Sequence, residues 1–136
     1  MYEKDNRDQL MLSAFSMPFG GKLKSNNRWI KLSEKIDWNT LEDEYAASFS
    51  QKGKRAVKCR VAYAALLIKE ILGVSDKETV ELICENPYLQ YFCGFSVFQV
   101  RRPFSYRSMT RFRKRFAPEL LSKKYVKSLL GKKKSK

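Results

Sequence analysis

Histidine is absent from all 136 residues. Its absence removes Ser-His and Cys-His nucleophile systems, the common imidazole base and most transition-metal sites. Cysteine is scarce and odd in number: Cys59, Cys84 and Cys93 have no C-x-x-C pairing and lie in apolar helical surroundings. They read as buried, reduced core residues rather than disulfides or metal ligands. Six glycines and four prolines supply too few turns for a sandwich or barrel of many short strands. No apolar run approaches the roughly 18 residues that would span a bilayer, and MYEKDNRDQL is too polar for a signal peptide. The expected setting is therefore bacterial or otherwise intracellular. Acids are nearly missing from one end, where Glu119 stands alone in residues 101–136 among fourteen Lys and Arg.

That last shortage sets the main expectation. The final thirty-six residues hold half of the chain's twenty-eight bases, and with them nearly all of its +14 net charge. Charge gathered at one end is an electrostatic footprint for a polyanion, and a polyphosphate backbone fits it best. The alternative is a solvated basic tail that serves solubility. A 43% hydrophobic and 13% aromatic content argues against general disorder and gives the chain enough material for one buried core.

Along the chain, residues 1–28 read as a flexible N-terminal segment, with Met17-Pro18-Phe19-Gly20-Gly21 as a breaker cluster. Residues 29–130 read as one helical domain, and 131–136 as a basic disordered tail. Trp29, Leu32 and Ile36 repeat at helical spacing. Asp37 then caps a helix through Trp38, Leu41, Tyr45 and Phe49. Gln51 to Arg55 forms a polar loop. From Val57 to Leu72 apolar residues cover almost the whole helical circumference, which predicts a central, enclosed helix ended by Gly73. Ser75 with Glu78 matches a capping box, and the helix it opens turns Val80, Ile83 and Cys84 inward. Asn86-Pro87 starts another at Tyr88-Leu89, closed by Gly94. Tyr88, Tyr91, Phe92 and Phe95 fit core packing better than a base-stacking platform. Val97, Phe98 and Val100 suggest an extended stretch without a partner strand. The fold class is all-α, a compact multi-helix bundle with helix-turn-helix-like elements and little or no sheet.

SYRSMTRFRKRF, residues 105–116, carries the candidate chemistry. Ser105 or Ser108 caps a predicted helix running to about Phe116. At about 100° per residue, Met109, Phe112 and Phe116 share one face, and Arg107, Arg111, Lys114 and Arg115 gather on the opposite one. Arg113 lies beside the apolar stripe, where a neighbouring acid would pair with it. Arginine forks match phosphate oxygens and the acceptor edge of guanine. Ser105, Ser108 and Thr110 add donors for phosphate, and Arg101 and Arg102 precede the segment. Pro118 starts a further helix with Leu121, Tyr125 and Leu129 on one face and Gly131 at its end. Lys123, Lys124 and Lys127 along it read as phosphate-tracking or merely solubilising charge. The acids Glu42, Asp43, Glu44, Glu78, Glu81 and Glu85 read as solvated surface residues. No catalytic residue, metal ligand, cofactor or small-molecule substrate is expected, and no membrane contact.

Taken together, LLIKEILGVSDKETVELICENPYLQYFCGF and PFSYRSMTRFRKRF resemble the helical N-terminal domain of bacterial insertion-sequence transposases, in the InsH-like group of the IS-five superfamily. Trp29 through Asp37 is similar to the Trp-containing segment that opens that domain. The resemblance covers roughly Phe15 to Leu130. It implies duplex DNA binding at terminal inverted repeats, with a separate RNase H-like domain carrying the metal-binding carboxylates. None of those roles transfers to an acid of this chain, which would then be a truncated element, a fragment or the first frame of a split transposase. Partners would be double-stranded DNA and a transposase catalytic polypeptide, or a second copy. An orphan regulator of an intact transposase and an RNA-binding basic module are the other readings.

Overall fold

The computed structural model describes residues 15–17, 21–47 and 57–131, and among these the protein is built from helices. The chain runs through α1 (Arg28–Lys35), α2 (Trp38–Ala47), α3 (Cys59–Leu72), α4 (Asp76–Glu85), α5 (Pro87–Phe92), α6 (Ser108–Arg113), a 3₁₀ turn (Pro118–Leu121) and α7 (Lys123–Gly131). The all-α expectation holds. Phe49, the Gln51–Arg55 loop and residues 132–136 lie outside the described residues, as do 1–14 and 18–20.

α3 is enclosed, as its all-round apolar pattern requires: every residue from Val61 to Ile68 is buried. Helices α2, α4, α6 and α7 all pack against it. Gly73 stops it at φ 66°, a left-handed conformation that only glycine adopts cheaply, with its amide donating to the Lys69 carbonyl. Ser75 then accepts from the Glu78 amide at 3.1 Å and opens α4. Asn86 accepts from the amides of Tyr88 and Leu89 and opens α5, with Pro87 in its first turn. Asp37 accepts from the Thr40 amide and hydroxyl before α2, and those bonds hold its carboxyl below the usual carboxylate range.

Aromatic residues fill the joints. Phe92 lies 5.5 Å from Trp29 and 5.7 Å from Trp38, joining α5 to α1 and α2. Phe116 stacks on Tyr45 at 5.2 Å and touches Tyr63 at 5.1 Å. The hydroxyls of those two tyrosines donate to the carbonyls of Val57 and Leu120. Burial pushes both phenols above their ordinary pKa. Cys59 and Cys93 are buried, and burial drives the Cys93 thiol up to about 12. Cys84 is only half-buried, because the turn of α4 leaves its Sγ at the rim, 3.9 Å from the Val100 carbonyl.

Four expectations are corrected. The stretch before residue 28 is not loose where it is described: Phe15 and Leu23 are buried with Ile30 and Tyr91 in a second apolar cluster. Ser16 forms an isolated parallel bridge with Val97, so the extended stretch after Phe95 has a partner in the N-terminal segment. Glu42 is buried rather than solvated. The helix expected from Pro118 is interrupted at Ser122, whose extended backbone (ψ 149°) ends the 3₁₀ turn and whose hydroxyl accepts from the Tyr125 amide to start α7. As a result Leu129 is buried and Tyr125 is exposed, although the same apolar spacing contains both.

Arg60 ties the halves of the core together. Its guanidinium lies 4.5 Å from the Trp38 ring and donates to the carbonyls of Tyr91 and Phe92 at the end of α5. Gly94, at φ 92°, makes room: a Cβ there would sit 2.8 Å from Arg60 Cδ. Gly94→Ala is therefore expected to destabilise the protein by about 1–2 kcal/mol from left-handed strain alone, and by more once Arg60 is displaced. Urea unfolding of the two proteins measures the difference.

Candidate nucleic-acid interface

The segment 105–116 docks as its amphipathic pattern implies. Met109, Phe112 and Phe116 are buried, and Phe112 meets Phe104 at 5.1 Å, which closes the loop that precedes the helix. Its α-helical part is shorter than predicted, Ser108–Arg113 only. Both flanks tighten into i to i+3 turns: Ser108 and Met109 donate to Ser105 and Tyr106, and Lys114 and Arg115 donate to Arg111 and Phe112. The tightening has a cause. Arg107, at the N-cap, provides no side-chain cap, and Phe116 must leave the helical path to reach Tyr45 and Tyr63. Neither Ser105 nor Ser108 caps this helix; the Ser105 hydroxyl accepts from the Arg107 amide at 3.3 Å.

Arg113 is fastened rather than free. Nη1 and Nη2 donate to the two oxygens of Asp76 at 3.0 Å each, a fork-to-fork pair that binds α6 to the first turn of α4. Lys69 adds a second cation 3.9 Å from Asp76. The Arg113 hydrogen bond, aided by its charge and that of Lys69, holds the Asp76 carboxyl below its ordinary 3.8. Arg102 is likewise engaged, by Glu81 of α4. Glu81 is thus a partner, not a plain solvated acid.

The remaining predicted residues divide by exposure. Arg101, Arg107, Thr110, Arg111 and Lys114 are exposed, and so are Lys123, Lys124 and Lys127 of α7. Ser108 is buried at 7% exposure, and its hydroxyl accepts from Arg111 Nη2 at 3.1 Å, so it steadies that arginine. Arg115 is half-buried, turned inward by the tightened last turn. Among the described residues no acid forms an ion pair with Arg107, Arg111 or Lys114. Tyr88, Tyr91, Phe92 and Phe95 belong to the core, as expected.

Two residues that sequence reasoning did not single out join this surface. Lys77 and Tyr106, together with Glu81, Arg102, Ser105 and Arg107, line an open groove of about 530 Å³. Val80 and Phe104, both buried, close its deep side. The groove forms because α4 lies alongside the 102–107 loop, a neighbourhood marked locally only by the opposite charges of Glu81 and Arg102, 21 residues apart. Arg107 stands over the Tyr106 ring at 5.1 Å. Among the described residues there is no group of three His, Cys, Asp or Glu side chains suited to a metal ion, and no helix long and apolar enough to cross a membrane.

Residues 18–115 match the protein family described as "Transposase domain (DUF772)". A curated relative from Rhizobium meliloti, "Uncharacterized protein ORF8 in nfe locus", is 33% identical over 90 residues, or 66% of this chain and 44% of the relative. The chain thus spans less than half of that relative's length. No solved structure matches.

The Asp76–Arg113 fork has a defined pH signature. A carboxyl whose pKa is depressed on folding stabilises the fold above its unfolded value, and that stability is lost as pH falls through the folded value. Asp76→Asn should therefore cost about 1 kcal/mol at pH 7, a difference that narrows below about pH 4 as the original protein loses its own pair. Unfolding free energies at pH 7 and pH 3 measure both parts.

Proposed function

The chain belongs to the family described as "Transposase domain (DUF772)", and from that premise we propose that it is the DNA-binding part of a transposition protein, recognising duplex DNA at the terminal inverted repeats of its element. The observation that carries the proposal is the docked segment 105–116. Its aromatic side is spent on the core, its Arg113 is paired internally, and Arg107, Arg111 and Lys114 are left facing solvent. Guanidinium forks on a short, firmly seated helix suit the phosphates and base edges of a major groove. Lys123, Lys124 and Lys127 supply further sequence-independent attraction.

In this reading the domain binds and a different polypeptide or domain reacts. Phosphoryl transfer on two metal ions needs carboxylates gathered from separate elements, whereas Asp76 and Glu81 are committed to arginines. The InsH-like assignment within the family rests on the combination of Glu85-Asn86-Pro87-Tyr88 to Phe92 and Gly94 with Ser108, Thr110, Arg111, Phe112 and Arg113. The partners are duplex DNA and the catalytic part of a transposase.

Fluorescence anisotropy with a blunt duplex carrying the terminal repeat tests the proposal. With about six cations on phosphates, log affinity falls against log salt with a slope near −5. Substituting Arg107, Arg111 and Lys114 together by Ala should reduce that slope by about 3 and weaken binding at low salt. A slope and affinity unchanged by the triple substitution would exclude the segment as the interface.

A further inference from the structure

We infer that the groove between α4 and residues 102–107 receives one unstacked nucleotide, its base against Tyr106 and its phosphate among Lys77, Arg102 and Arg107. The inference rests on the proposed duplex binding in one respect: the groove borders the same basic surface, so a nucleotide leaving a bound duplex would meet it.

Three properties of the groove point to this ligand. The first is size. A volume of about 530 Å³ lies within the roughly 300–1,000 Å³ usual for small-ligand sites, and far exceeds the needs of one phosphate. The second is the lining. Val80 and Phe104, though almost wholly buried, back the groove with apolar side chains, and Tyr106, 38% exposed, lines it with Arg107 over its ring. A seat for phosphate alone gains nothing from an apolar backing or an aromatic lining. Single strands, by contrast, are held by pairing an aromatic face for the base with cations for the backbone.

The third property is charge. Lys77, Arg102 and Arg107 face a single acid, Glu81, which Arg102 already engages. An anion is therefore attracted, and the Glu81–Arg102 pair presents both an acceptor and donors to the edge of a base. A fully paired duplex cannot fill this space, because its bases stay within the stack. The occupant is a nucleotide outside the helix, at an overhang, a mismatch or an extruded position.

The test compares a blunt duplex with the same duplex bearing one unpaired 2-aminopurine at its 3′ end, at fixed salt. The expected result is roughly tenfold tighter binding of the overhang, with 2-aminopurine fluorescence quenched on binding. Tyr106→Ala should abolish the quenching and bring the overhang-to-blunt affinity ratio to about one, whatever it does to the blunt-duplex affinity through Arg107, whose guanidinium lies over the ring. Tyr106→Phe should retain both the preference and the quenching, and Lys77→Ala should reduce the preference severalfold. Circular dichroism establishes that each variant is folded; were Tyr106→Ala to fail, quenching in the original protein and its retention in Tyr106→Phe decide. Equal affinity for the two duplexes without quenching overturns the inference, and if the blunt duplex still binds, the proposed function survives. Quenching by the overhang without measurable binding of the blunt duplex supports the groove and sinks the duplex reading. Failure of both duplexes to bind sinks both.

Discussion

A helix with no solvent face must be enclosed before anything else in the chain can be stable, and that constraint organises this protein. Residues Val61 to Ile68 have no polar side to turn outward, so their burial is available only if several neighbours arrive together. Each neighbour is too short to persist alone. Isolated helices below about 12–15 residues are marginal in water, and α5 and α6 have six residues each. The enclosed helix and its short companions are therefore mutually dependent, and the basic segment inherits its order from a core it covers on one side.

Four arginines of that segment and of the loop before it have two occupations. Arg113 and Arg102 are turned toward acids of α4 and hold the segment and its preceding loop in place. Arg107 and Arg111 are oriented by weaker means, a tyrosine ring and a serine hydroxyl, and keep their charge directed at solvent. Asp76, the partner of Arg113, sits in the first turn of α4, where the N-terminal dipole already favours an acid, and Glu81, the partner of Arg102, lies a turn further on. Arg113→Lys is consequently not conservative, since an ammonium cannot span both oxygens of Asp76.

Much of this was legible in residue order, because the deciding forces were local. The enclosure of α3 follows from its apolar circumference, and the breaks at Gly73, Ser75 and Asn86 follow from capping chemistry that acts within four residues. The inward side of 105–116 and the need of Arg113 for an acid followed from helical angle alone. What escaped depended on distant neighbours. That α6 ends at Arg113 reflects the pull of Phe116 toward Tyr45 and Tyr63. The burial of Phe15 and Leu23 reflects a partner surface supplied by Ile30 and Tyr91. Lys77 and Tyr106 come together only because α4 lies beside residue 102. Ser122 was a local signal, a serine before a lysine-rich run, but the apolar spacing of Leu121, Tyr125 and Leu129 read straight through it. Spacing reports compatibility with a helix, not its continuity.

One buried side chain sets how rigid the basic loop is before the proposed contact with DNA. Gln90 is fully buried in α5, and its amide nitrogen donates to the carbonyls of Ile83, Cys84 and Gln99 while its oxygen accepts from the Gln99 amide. Both ends of one amide thus staple the backbone two residues before Arg101. A loop already immobilised in this way surrenders little freedom on contact. In the proposed binding the ordering cost would fall instead on long side-chain tips, at about 0.5–1.5 kcal/mol for each one stilled, the backbone entropy having been relinquished on folding.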